Sequence, residues 1–151
     1  METQATGRSK QQTSHEFYKK LFKLTGAGCA AFWITDFVLS VSPIAAKYKA
    51  AFSISSLPLA LVQALVGGLI IACCVSFFLL HFFDRIPGKK PITKALILGL
   101  GAMILIEILS TLGDPSHAFV YLLLDTGMNL PRFLALGLVV GLLYDKLNGG
   151  A

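Results

Sequence analysis

The sequence predicts an all-α integral membrane protein: a four-helix transmembrane bundle with a short extra helix at its outer surface, interfacial or re-entrant. Three observations predict it. The residues Ala, Val, Ile, Leu, Met, Phe, Trp, Tyr and Cys make up 55% of the 151-residue chain and charged residues only 14%, against about 25% charged in a soluble domain. The mean hydropathy is +0.72. The apolar residues gather into four long runs, and in lipid such runs satisfy their backbone groups only as helices or in a closed barrel. The alternating segments of a barrel strand are absent. The basic residues, finally, segregate between alternate loops, as they do beside membranes.

Residues 1–13 are polar and without periodicity and read as a flexible cytoplasmic tail. Thr13 followed by Glu16 fits a capping box, so a helix is expected to start near Ser14. Phe17, Tyr18, Leu21 and Phe22 recur at helical spacing with Lys19, Lys20 and Lys23 between them. This is an interfacial lead-in whose lysines reach for the headgroups. The first span is expected over 24–41, with Asp36 inside it and Pro43 beyond its end. No secretory signal is expected, because a long polar and basic stretch precedes this run.

A loop over 44–56 leads to the second span, 57–83, which contains no charge. At 1.5 Å per residue it is about 40 Å long, more than the ~30 Å of hydrocarbon, so tilt is expected. A basic connector with a Pro87–Gly88 turn precedes the third span, 95–112, which carries Glu107. Asp114–Pro115 then suits a helix start, and Asp125–Thr126–Gly127 a stop, with Gly127 as a left-handed cap. The short helix between them, about 115–126, is too short to cross, and an interfacial position is favoured over a re-entrant one. The last span, 130–147, is opened by Asn129 and Pro131 and closed by Asn148–Gly149–Gly150. One membrane domain over 14–148 results, with a short tail at 149–151.

With the N-terminus inside, the inner side holds Arg8, Lys10, Lys19, Lys20, Lys23, Arg85, Lys89, Lys90, Lys94 and Lys146. The outer side holds only Lys47, Lys49 and Arg132. Both termini are therefore expected in the cytoplasm. The net charge of +5 is explained without a nucleic-acid partner; the partner expected is the lipid bilayer, with Arg85, Lys89, Lys90 and Lys94 against anionic lipid. For packing, Ala60, Ala64, Gly68, Ala72 and Ser76 place a small residue at every fourth position of the second span, and Gly137 and Gly141 form a GxxxG in the last. Such stripes let helices approach closely. They put the second helix at the centre of the bundle, or else at the contact with another membrane protein or a second copy.

Asp36 and Glu107 are the acids within the spans, each about 8 Å below the outer end of its helix by helical rise. A charge there costs several kcal/mol (of order +2.5–3.5 at a helix centre) unless it is paired, hydrated or protonated. The structural reading has each acid bonded to nearby hydroxyls or to Arg132. The functional reading is a proton- or cation-binding pair facing an outer vestibule, with Asp114, His117 and Asp125 at its mouth and Arg132 to neutralise it. Cys29, Cys73 and Cys74 sit in apolar runs as packing residues, and no metal site or catalytic set is expected. Gly26-Ala27-Gly28 followed by Ala31 mimics a dinucleotide fingerprint, but without a preceding strand. The cofactor is left unknown. The sequence favours a non-catalytic accessory, scaffold or binding subunit over a small proton- or cation-coupled transporter or channel using Asp36 and Glu107, and that over a lipid enzyme.

Overall fold

The structure is a computed structural model that describes residues 2–43, 45, 57–113 and 118–149, with 2–13, 57, 111, 113, 118–121 and 124 as backbone only. Four helices account for nearly all of it: α1 (Glu2–Ser40), α2 (Leu57–His81), α3 (Pro91–Gly113) and α4 (Ala118–Asn148). A 3-10 turn at Phe83–Arg85 lies between α2 and α3. Each helix contains a stretch long and apolar enough to cross a membrane: Ser14–Ser40, Pro58–His81, Pro91–Ser110 and Asp125–Asn148.

Two boundaries differ from the sequence expectation. Helical backbone runs upstream of the capping box to Glu2, over a proline-free stretch in which the good helix formers Glu, Gln, Ala, Arg and Lys outnumber the weaker ones. More consequentially, the short outer helix expected over 115–126 is not separate. From Ala118 onward it is the first part of α4, which passes without a break through Gly127 and Pro131. Among the described glycines only Gly88, at φ 124°, takes the left-handed conformation that a Gly127 cap would need. Pro131 has no N–H to give to the carbonyl of Gly127, four residues earlier, so one helical bond is missing where the stop was expected. Contacts of the flanking side chains with α3, described below, hold the helix through that point.

The helices are arranged in the order α2–α1–α4–α3. α1 packs on both α2 and α4, α4 packs on both α1 and α3, and α2 meets α3 over a smaller area. The central pair is therefore α1 and α4, where the sequence placed the second helix at the centre. α2 has one face of small residues and can serve one close neighbour: Gly68, Ala72 and Ser76 are buried and Ala60 and Ala64 half-buried. A Cβ on Gly68 would lie 2.8 Å from the Phe32 ring of α1. Its other faces carry exposed Leu59, Val62, Val66, Leu69 and Ile70. Trp33 Nε1 donates to the Leu61 carbonyl at 3.1 Å, fixing the register of α1 on α2.

At the α1–α4 contact, Phe32 meets Phe133 edge to face with ring centroids 5.5 Å apart. A Cβ on Gly28 would meet Val140 at 2.7 Å and Ala72 at 3.2 Å, so only a glycine lets α1, α2 and α4 converge there. Gly26 and Ala30, small residues four apart on the same helix, are exposed. The GxxxG of α4 seats α3: a Cβ on Gly137 would lie 3.1 Å from the Leu96 Cα, and one on Gly141 2.5 Å from the Ile92 Cα.

The outward faces are largely apolar, with Ile104, Leu105, Ile108 and Leu109 of α3 all more than half exposed. Soluble monomers rarely carry apolar patches beyond a few hundred Å², whereas lipid solvates such faces freely. The architecture fits a multi-pass membrane protein. One end of the bundle is basic. There Lys20 Nζ donates to Asn148 Oδ1 at 2.6 Å, which puts the start of the α1 span beside the end of α4. Phe83 stacks on Tyr144 at 4.8 Å at the same end.

Candidate functional site

The opposite end of the bundle holds a buried polar chain that joins three helices. Each helix places its polar groups as a continuation of its core stripe. On α1 the buried series Cys29, Phe32 ends in Asp36; on α3 the series Ala95, Gly99, Met103 ends in Glu107. On α4, Asp125, Asn129 and Arg132 share the face of Leu136 and Val140 at spacings of three and four residues. The helical period thus aims the polar groups at one another and away from lipid.

Arg132 Nη2 forms an ion pair with Asp36 Oδ1. Arg132 Nη1 donates to Asn129 Oδ1 at 2.8 Å. Asn129 Nδ2 donates to Glu107 Oε1 at 3.0 Å. The carboxyl of Asp125, one turn before Asn129 on α4, is a near neighbour of Glu107. The relative exposures of Asp36, Glu107, Arg132 and Asn129 are 3%, 5%, 8% and 9%, so the whole chain of contacts is withdrawn from solvent. Two charges so buried are tolerated only with a close partner and further hydrogen bonds. Asp36 and Arg132 neutralise each other, while Glu107 and Asp125 carry the acidity that remains. Arg132 Nε is buried and makes no hydrogen bond, so the guanidinium uses its two terminal nitrogens and keeps its third donor site open.

Glu107 also faces a second environment. It lines a groove of about 450 Å³ between α3 and α4, with Met103, Ile104, Ile108, Leu112, Leu122 and Thr126. Apart from Glu107 and Thr126 that lining is apolar. Its carboxyl thus lies between the polar chain on one side and the groove on the other.

The structure brings together four of the six residues proposed from sequence for an ion or proton site: Asp36, Glu107, Asp125 and Arg132. Asp114 and His117 lie outside the described residues. Asp36 and Glu107 do not touch as a bare acid pair; Arg132 and Asn129 stand between them. Asn129 is the residue that sequence reasoning treated only as a helix opener. Its signal was the spacing Asp125–Asn129–Arg132, which puts three polar side chains on one face of a helix. Thr35, the hydroxyl next to Asp36 in sequence, donates to the Ala31 carbonyl of its own helix at 2.8 Å.

At the basic end, Arg85, Lys89 and Lys90 are exposed. Lys94 is not: it is 7% exposed, donates to the Phe83 carbonyl at 2.6 Å and lies 3.8 Å from the centre of the Phe83 ring. Its ammonium fastens the connector to α3 and is turned away from lipid. Among the described residues no three of His, Cys, Asp and Glu gather closely enough to hold a metal ion. No protein family, curated protein or solved structure matches the chain.

Proposed function

We propose that this is a multi-pass membrane protein that binds a proton, or a small cation in its place, at the Glu107–Asp125 carboxyl pair, and that it belongs to the class of small proton- or cation-coupled transporters and channels. The observation that carries the reading is the position of the buried Glu107 between the polar chain and the groove of α3 and α4. Two neighbouring carboxyl groups away from water favour sharing one proton or a cation, because two ionised carboxylates repel and each only accepts hydrogen bonds. Such a pair behaves as one coupled site. Emptying it leaves two like charges in a place of low dielectric, and their repulsion pushes α3 and α4 apart at the point where α4 lacks a helical bond. Proton or cation occupancy then couples to helix position.

A second reading is favoured by the Asp36–Arg132 pair. An acid neutralised by a base on a neighbouring helix straps α1 to α4, as an accessory or scaffold subunit would need. The two readings part at Glu107. Under the first, infrared spectra of the protein in lipid nanodiscs show a protonated carboxyl band that Glu107→Gln removes, and proteoliposomes under an imposed proton gradient show a flux that the same substitution abolishes with the melting temperature nearly unchanged. A band untouched by both Glu107→Gln and Asp125→Asn, or the absence of any flux in the native protein, overturns the first reading and leaves the second.

A further inference from the structure

Apart from the carboxyl site, the bundle has a flaw at its basic end. α2 and α3 are joined directly by the 82–90 connector, yet they do not close on each other. Between them lies an apolar groove of about 500 Å³, walled on α2 by Ile70, Cys74 and Phe78 and on α3 by Ile97, Gly101 and Leu105. Its cause is legible in the side chains: a Cβ on Gly101 would meet nothing within 4 Å, so α3 presents no bulk where α2 passes. A hollow lined by side chains with no atoms opposite forfeits their dispersion contacts. In a bilayer the filler at hand is an acyl chain.

The groove runs about 12 Å along α2, from Ile70 to Phe78, by helical rise. Its near end at Phe78 lies about one turn before the end of α2 at His81. Immediately beyond are the exposed cations Arg85, Lys89 and Lys90, with the single carboxylate Asp84 among them. Acyl contacts alone confer little selectivity, since lipid tails are as apolar as the groove. The headgroup decides, because each basic residue near the surface attracts anionic lipid.

We infer that the α2–α3 groove is a binding site for one anionic phospholipid, its acyl chain between Phe78 and Gly101 and its headgroup phosphate on Arg85, Lys89 and Lys90. The site is independent of the carboxyl chain at the other end. The lipid replaces the side-chain contacts that α2 and α3 do not make and holds the loosest pair of neighbouring helices together.

The test is native mass spectrometry of the protein released from detergent, after exchange with phosphatidylglycerol or phosphatidylcholine. The native chain is expected to retain one phosphatidylglycerol and to prefer it over phosphatidylcholine. Lys89→Gln and Lys90→Gln should each lower that preference about fivefold. Gly101→Leu, whose Cβ meets nothing within 4 Å and whose side chain takes the space of the groove, should abolish retention with the helix content unchanged. A second readout uses native thiols: Cys74 lines the groove, while Cys73 lines a different hollow beside Thr25. Bound phosphatidylglycerol should slow alkylation of Cys74 by an apolar maleimide and leave Cys73 unaffected. Equal retention of both lipids, retention that survives Gly101→Leu, or equal protection of the two cysteines overturns the site.

Discussion

Arg132 holds a full positive charge at 8% exposure between an acid on α1 and an amide on its own helix. Removing one member of a buried pair leaves the other charged and unpaired, which costs about 3–5 kcal/mol. Arg132→Met should therefore lower unfolding stability in mild detergent by that amount, and Asp36→Asn should be harmful in the same direction. The double variant Asp36→Asn/Arg132→Gln places two neutral amides face to face and should recover much of the loss, giving a coupling well above the few tenths of a kcal/mol seen for independent sites. Additive losses in the double variant would mean that the two side chains do not act as a pair. Much of this was visible at the level of single residues: an isolated acid in an apolar run has few tolerable explanations, so Asp36 and Glu107 declared themselves. Asn129 did not, because an amide beside a proline is a common helix opener and only the neighbouring helices reveal its bridging role.

The helices meet through glycines that differ sharply in what surrounds them. A Cβ at Gly141 would strike the backbone of Ile92, and backbone cannot swing aside as a side-chain tip can. Gly67 has open space on the lipid side. Gly141→Ala should force α3 away from α4 and cost about 1–3 kcal/mol, whereas Gly67→Ala should be neutral or gain up to about 1 kcal/mol from helix propensity. Thermal unfolding of the two variants under one detergent condition checks the contrast; similar melting temperatures would mean that α3 does not seat on the GxxxG. The sequence displayed both glycine patterns but not their partners. It suggested α2 as the centre because its small-residue stripe is the longest, while the structure gives the centre to α1 and α4, whose burial is distributed over larger residues. The continuity of α4 was hidden for a similar reason. Asp125–Thr126–Gly127 is a sound local stop signal, overridden where Asn129 bonds to Glu107 on a different helix. Local propensity yields to such tertiary contacts.

For the molecule as a whole, polarity is arranged along the bundle axis. The lysines and arginines of the lead-in, the connector and the end of α4 lie at one end, and the acid-rich polar chain lies toward the other. The Lys20–Asn148 hydrogen bond joins the first and last spans at the basic end, as an even number of crossings requires. Basic loops are retained in the cytoplasm, so the carboxyl pair should face the outer half of the bilayer, where a proton arriving from outside meets it first. Protease-protection assays on chains tagged at either end test this directly. Both tags are expected to be cleaved in inside-out vesicles and protected in right-side-out ones. Tags cleaved from opposite faces would break the four-crossing architecture itself. Tags both cleaved from outside would keep the architecture and turn the site toward the cytoplasm, so that the proposed coupling would draw its proton from the cell interior. Replacing Arg85, Lys89 and Lys90 together by Gln removes the strongest internal retention signal. In that variant a measurable fraction of chains should invert, while Lys47→Gln/Lys49→Gln on the opposite loop should leave the orientation unchanged.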